Sequence, residues 1–182
     1  MITIKNLKTW EGREGHACQC SVYMPLGGED KKPYKVGMFT DNADGHYDHC
    51  RYDIEPRHEK KFFAMLHQHP VFIKEMAKEK YKCDKQHGQH HARNQAMLTI
   101  VEDFELNQIL KRKCRKVTII RLKGDEEDSF RTVKTPYSAH VKKILQERHG
   151  DDLAEIVNER FVTPIDLSKV LTIAQVCARI GV

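Results

Sequence analysis

The stretch Cys18-Gln19-Cys20-Ser21-Val22-Tyr23-Met24 alternates apolar and polar side chains. A period of two lays Cys18, Cys20, Val22 and Met24 on one face of an extended chain, whereas a helix would scatter them around its axis. The segment therefore predicts a half-buried strand, and the pattern extends on both sides. Ile2 and Ile4 alternate with polar neighbours upstream. Downstream, a Pro/Gly-rich loop from Pro25 to Pro33 precedes a strand over Tyr34 to Thr40. Asp41-Asn42-Ala43-Asp44-Gly45 reads as a turn, because Asn and Asp side chains close turns on their own backbone and glycine accepts positive φ. His46 to Asp53 is the expected return strand. Up to this point the chain reads as an antiparallel meander.

The period changes at Pro56, a residue suited to a first helical turn. Phe62, Phe63 and Leu66, then Phe72, Ile73 and Met76, fall at helical spacing, and Pro70 should break this stretch in two. A polar, His-rich patch from Lys82 to Arg93 reads as solvated loop. A longer helix is expected over about Asn94 to Lys111, turning Met97, Ile100, Val101, Phe104, Leu106, Ile109 and Leu110 towards a core. The last third returns to β. Val117 to Lys123, the turn Gly124-Asp125-Glu126-Glu127-Asp128 and Ser129 to Lys134 form a hairpin that Thr135-Pro136 ends. Ser138 to His149 reads as an amphipathic helix with Gly150 as its stop. Ile156 to Val162 is an expected third strand and Ile165 to Val182 is helix-like. The fold class is thus α+β: an antiparallel β-meander with helices over residues 1–112, then a hairpin-helix-strand unit with a C-terminal helix over 113–182.

Composition narrows the function classes. The chain has 182 residues, of which 40% are hydrophobic and 31% charged, too apolar for a disordered segment. No apolar run approaches the roughly 18 residues of a membrane-spanning helix. Met1-Ile2-Thr3-Ile4-Lys5-Asn6 has no signal-peptide character, so a cytoplasmic protein without a membrane partner is expected. In that setting the six cysteines read as free thiols or metal ligands rather than disulfides.

Several clusters could carry chemistry. Cys83, His87, His90 and His91 would share one side of a helix, and thiolate with neutral imidazole is a ligand set that suits zinc. Gly88 weakens that helix. In the meander, Cys18 and Cys20 share one strand face and His46, Asp48 and Cys50 another, a second candidate metal group. Asp41, Asp44, Asp48 and Asp53, with His49 beside them, could hold a hard cation. No phosphate-binding glycine loop, dinucleotide fingerprint or CxxC occurs, and no cluster supplies nucleophile, base and orienting group together. The leading reading is therefore a non-catalytic binding protein. The alternatives are a metal-dependent nuclease or hydrolase built on the His/Asp/Cys clusters and a zinc-stabilised structural module.

Charge points to a partner. The net charge is +5, but its distribution says more. Lys111, Arg112, Lys113, Arg115, Lys116, Arg121 and Lys123 follow one another with no acid between them, and four acids arrive at once from Asp125 to Asp128. Such a run is suited to phosphate contacts on nucleic acid or a nucleoprotein complex. It would equally complement a helix C-terminus and solvate a strand edge.

Two resemblances add context. Ile4-Lys5-Asn6-Leu7, the strand ending in Tyr23-Met24, Lys35-Val36-Gly37 and the turn Asp41 to Gly45 together resemble small uncharacterised proteins of bacteria and their phages, over residues 1–56. The chain departs from them in its Pro25–Pro33 insertion and in carrying His46 where a second glycine is usual. This resemblance implies an accessory protein of a phage or mobile element, acting by binding in a bacterial host; with the basic run and the lack of a complete catalytic constellation, it leads to a binding factor such as an inhibitor of a defence nuclease. Leu171-Thr172-Ile173-Ala174-Gln175-Val176-Cys177-Ala178-Arg179-Ile180-Gly181-Val182 resembles the start of an excisionase- or regulator-type helix-turn-helix. No recognition helix follows within the 182 residues, so docking on the core or on a second copy, as a homo-oligomer contact, is expected for this helix.

Overall fold

The computed structural model describes residues 1–25, 32–44, 49–78, 84–126 and 128–161. The fold is α+β, with two antiparallel sheets, and the chain divides into two compact units at Glu105/Leu106, inside its longest helix.

In the first unit, β1 (Thr3–Gly12), β2 (Gly15–Pro25), β3 (Pro33–Asp41) and β4 (Cys50–Ile54) pair in sequence order as a four-stranded meander. The alternation over Cys18–Met24 holds: Cys18, Cys20, Val22 and Met24 are all buried. β1 shifts register against β2 between Lys5 and Lys8, where Asn6 takes φ 54° and its amide reaches the Ser21 hydroxyl. Asparagine is among the side chains best suited to that left-handed conformation. Gly37 faces Ile54 across the β3–β4 ladder. A Cβ at Gly37 would lie 2.0 Å from the Asp53 carbonyl oxygen, so the close approach of these two strands requires glycine.

Helices α1 (Pro56–Leu66) and α2 (Pro70–Met76) follow, separated at Pro70 as expected. The His69 side chain accepts the Val71 N–H and caps α2. Helix α3 (Lys85–Lys113) begins well before Asn94. The His-rich patch is therefore helical from Lys85 onward, not loop. Asp84 accepts the His87 N–H at 2.9 Å at the start of the helix, and the small buried residues Gly88, Ala92 and Ala96 recur every fourth position on one face. Local glycine cost is outweighed there by close packing. The core joins Ile4, Cys20, Val22, Met24, Val36 and Phe39 of the sheet to Phe62 and Leu66 of α1, Phe72 of α2 and Met97 and Val101 of α3. Tyr52 packs its ring against Phe39, Phe62 and Phe63, and its hydroxyl donates to Asn94, whose amide meets His90 at 3.2 Å.

In the second unit, β5 (Thr118–Leu122) is the central strand between β6 (Arg131–Val133) and β7 (Leu153–Ile156). Helix α4 (Ala139–His149) starts where the Ser138 hydroxyl accepts the Val141 N–H and stops at Gly150, φ 50°. Ile120, Tyr137, Leu145 and Ile156 form one buried cluster, and Leu110, Cys114, Ile119 and Val157 another. The expected strand over Ile156 to Val162 is corrected. The strand ends at Ile156 and Val157–Arg160 forms a 3-10 turn that aims Asn158 inward. The C-terminal segment from 162 onward, with its helix-turn-helix resemblance, lies outside the described residues.

Candidate nucleic-acid interface and candidate metal centre

The seven basic residues divide into two groups. Lys111, Arg112 and Lys113 form the last turn of α3, Arg115 and Lys116 lie in the turn into β5, and Lys123 follows β5; these six are exposed. Arg121 is not a free cation. Strand alternation points it at Glu155 across the β5–β7 ladder, 3.8 Å away, and Glu155 also holds Arg160. Among the described residues, the ion pairs of this unit engage Arg121, Arg131, Lys142, Lys143 and Arg160 and none of the six. Among the described residues, Arg112 alone of the six has a side-chain hydrogen bond, to the Gln108 carbonyl one turn back. The acidic turn that follows is partly committed. Asp125 grips Arg131 through two hydrogen bonds and accepts the Leu122 N–H, and these contacts hold its carboxyl below the usual range.

The turn carrying Arg115 and Lys116 is fixed from within. Asn158, fully buried, donates to the carbonyls of Cys114 (3.0 Å) and Val117 (2.8 Å) and accepts the Ile119 N–H (2.7 Å). Both ends of the turn are thus tied by one side-chain amide. A helix macrodipole of about half an elementary charge has no need of five cations in and just beyond its last turn.

Of the His-rich candidate set, Cys83 lies outside the described residues. His87, His90 and His91 lie on α3, but each turns to protein partners rather than to a common point. His90 meets Asn94, and His91 stands 3.7 Å from Glu75, which also binds Lys78 at 2.6 Å. Arg93, on the same helix, donates to the His67 ring at 2.8 Å and covers Phe63, while His67 stacks on Phe72. Burial, then the Arg93 charge, pulls His67 below its ordinary pKa, so it is the neutral acceptor.

The sheet brings together a different set. Cys18, Asp41 and Cys50 are register partners on three adjacent strands, and all three are buried. His49, just ahead of β4, reaches Asp41 with its Nε2 3.8 Å from Oδ1. Among the described residues, Asp41, His49 and Cys50 are the one group whose donor atoms converge enough to hold a metal ion, all within 4.8 Å of one another. Sequence alternation had placed Cys50 with His46 and Asp48, which lie outside the described residues. His49, read from the sequence only beside the Asp41 carboxylate group, precedes the regular strand. Asp53 is exposed and paired with Met38 along β4, so it does not join Asp41. Cys20 sits in the next row, opposite Phe39, away from Asp41.

The local electrostatics are those of a buried anion among thiols. Burial, reinforced by the Asp41 charge, pushes Cys18 up to about 11 and raises Cys50 further; burial takes Cys20 to about 12. These thiols and Cys114 are unbridged. The segment after Asp41 is held by the β1–β2 hairpin. Ala43 takes φ 46°, donates to Asp41 Oδ1 at 3.0 Å, and its carbonyl accepts the Glu14 N–H at 2.8 Å. Gly12 lies so close that a Cβ there would meet Ala43 Cβ at 2.9 Å. Asp41 and Cys18 also line a cavity of about 380 Å³ with Thr9, His16, Glu102 and Glu105.

No family model, curated protein or solved structure matches this chain. Among the described residues, no helix is long and apolar enough to cross a membrane.

Proposed function

We propose that the protein is a non-catalytic binding protein whose cationic surface at the end of α3 engages the phosphates of nucleic acid, alone or within a nucleoprotein complex. One observation carries this: Lys111, Arg112, Lys113, Arg115, Lys116 and Lys123 are exposed, and among the described residues none has a carboxylate partner. Clustered like charges repel one another and cost stability, so a group left without internal compensation is suited to an external anion. Arg115 and Lys116 also sit on a turn that Asn158 holds in place, which limits the ordering entropy lost on binding. The phage-type context rests on the resemblance of residues 1–56, and the reading as an inhibitor of a defence nuclease joins that context to the basic run and the lack of a complete catalytic constellation.

The test is a binding titration of labelled duplex DNA and single-stranded RNA against the full chain. Its decisive comparison is Lys111→Glu, Lys113→Glu, Arg115→Glu and Lys116→Glu together, against a charge-matched reversal of Lys35, Lys60, Lys74 and Lys85, which are exposed in the first unit. The first set is expected to abolish binding and the second to leave most of it. Equal losses in both, or no loss in the first, would overturn the assignment.

A further inference from the structure

We infer that Asp41, His49 and Cys50 form a binding site for a divalent transition ion of the zinc class, with an open coordination position. The site is independent of the cationic surface and concerns a different chemistry. The donors are one carboxylate oxygen, one imidazole nitrogen and one thiol sulfur, the mixed borderline set that zinc accepts and that magnesium or calcium does not.

The geometry is near what a tetrahedral ion needs. Bond lengths of about 2.0–2.3 Å place neighbouring ligand atoms about 3.4–3.6 Å apart. His49 Nε2 and Asp41 Oδ1 already stand 3.8 Å apart, and the whole set lies within 4.8 Å. The backbone is fixed on both sides: Cys50 faces Asp41 across the β3–β4 ladder, and the Asn42 N–H donates to the His49 carbonyl at 3.2 Å. The Ala43 N–H on Asp41 Oδ1 is the kind of outer hydrogen bond that orients a ligating carboxylate.

Charge supplies the reason for the arrangement. Asp41 is a buried carboxylate flanked by two buried thiols. Among the described residues, its compensation is one backbone N–H and an imidazole 3.8 Å away. Burying an anion so lightly partnered is costly, and packing alone would be served better by an apolar residue. A divalent ion bound to one carboxylate, one thiolate and a neutral imidazole makes an electrically neutral group. Binding would release the Cys50 proton to solvent, since the ligand is the thiolate. Three protein donors leave one position of a tetrahedral ion unfilled, and Asp41 also lines a cavity whose Glu102 and Glu105 favour the approach of a cation.

Cobalt(II) is the probe, because a thiolate ligand gives it a charge-transfer band in the near ultraviolet that histidines and carboxylates do not. Full-length protein without a histidine tag is stripped with chelator and titrated with Co²⁺. The expected result is saturation of the thiolate band at one ion per chain, bleached by one equivalent of Zn²⁺. Cys50→Ser should abolish the band, Cys18→Ser should keep it, and His49→Gln should keep it with affinity at least about tenfold weaker. Saturation without a thiolate band, a band that survives in Cys50→Ser or is lost in Cys18→Ser, or a band that zinc does not bleach would overturn the assignment. If circular dichroism shows that either cysteine variant is unfolded, the half-buried His49 decides: unchanged Co²⁺ affinity in His49→Gln refutes the site.

Discussion

Replacing Asn158 by alanine is expected to destabilise the second unit by about 3–5 kcal/mol. Its side chain makes three hydrogen bonds to backbone groups between Cys114 and Ile119, all lost together. The two bonds donated to Cys114 and Val117 are worth about 1 kcal/mol net each, and the buried Ile119 N–H left without its acceptor costs about 1–3 kcal/mol. The site is fully buried, so water does not simply take the place of the amide. Against a typical domain stability of about 5–15 kcal/mol this is a large share. Asn158→Asp separates the contributions. It keeps the acceptor for Ile119 but sets an anion against the carbonyls of Cys114 and Val117. The native state then favours the protonated acid, whose pKa is raised, so the penalty relative to wild type should shrink as pH falls towards about 4. Urea unfolding followed by far-UV circular dichroism at pH 7 and pH 4.5 reads both effects. A loss below about 1 kcal/mol for Asn158→Ala would refute the view that this one amide ties the turn carrying Arg115 and Lys116.

Other consequences are simpler to state. Gly37→Ala would drive a methyl into the Asp53 carbonyl and should disrupt the β3–β4 ladder, seen as loss of slow amide exchange at Phe39 and Tyr52. His67 titrates below its ordinary value, so wild-type stability should fall as pH drops below about 6.5, where the unfolded chain protonates first. The stability difference between wild type and His67→Gln should accordingly narrow from pH 7.5 to pH 5 in parallel thermal melts. Cys18 and Cys20, raised to about 11 and about 12, should resist alkylation at pH 7.5 in the metal-free native protein and react once urea unfolds it, measured by mass spectrometry.

What sequence could show follows from the range of the forces involved. β2 was legible because one buried face imposes a period of two, and α4 because its start at Ser138 and stop at Gly150 are local signals. The start of α3 was not, since Gly88 and a polar, His-rich stretch argue against helix locally and the packing of Ala92 and Ala96 decides it. Asn158 gave no signal, because its partners lie 39 to 44 positions away. Of the basic run, six residues could be read as exposed without tertiary knowledge. Arg121 could not, as its pairing with Glu155 depends on which strand lies beside β5. The Asp41–His49 and Cys50 readings stood apart in the sequence, because only register places Cys50 opposite Asp41.

The salt dependence of DNA binding tests the central claim most directly. With six unpaired cations on phosphates, the logarithm of the association constant should fall against the logarithm of KCl concentration with a slope near −5, at about −0.9 per contact on duplex DNA. A slope near zero, or no binding at 50 mM KCl, would contradict it.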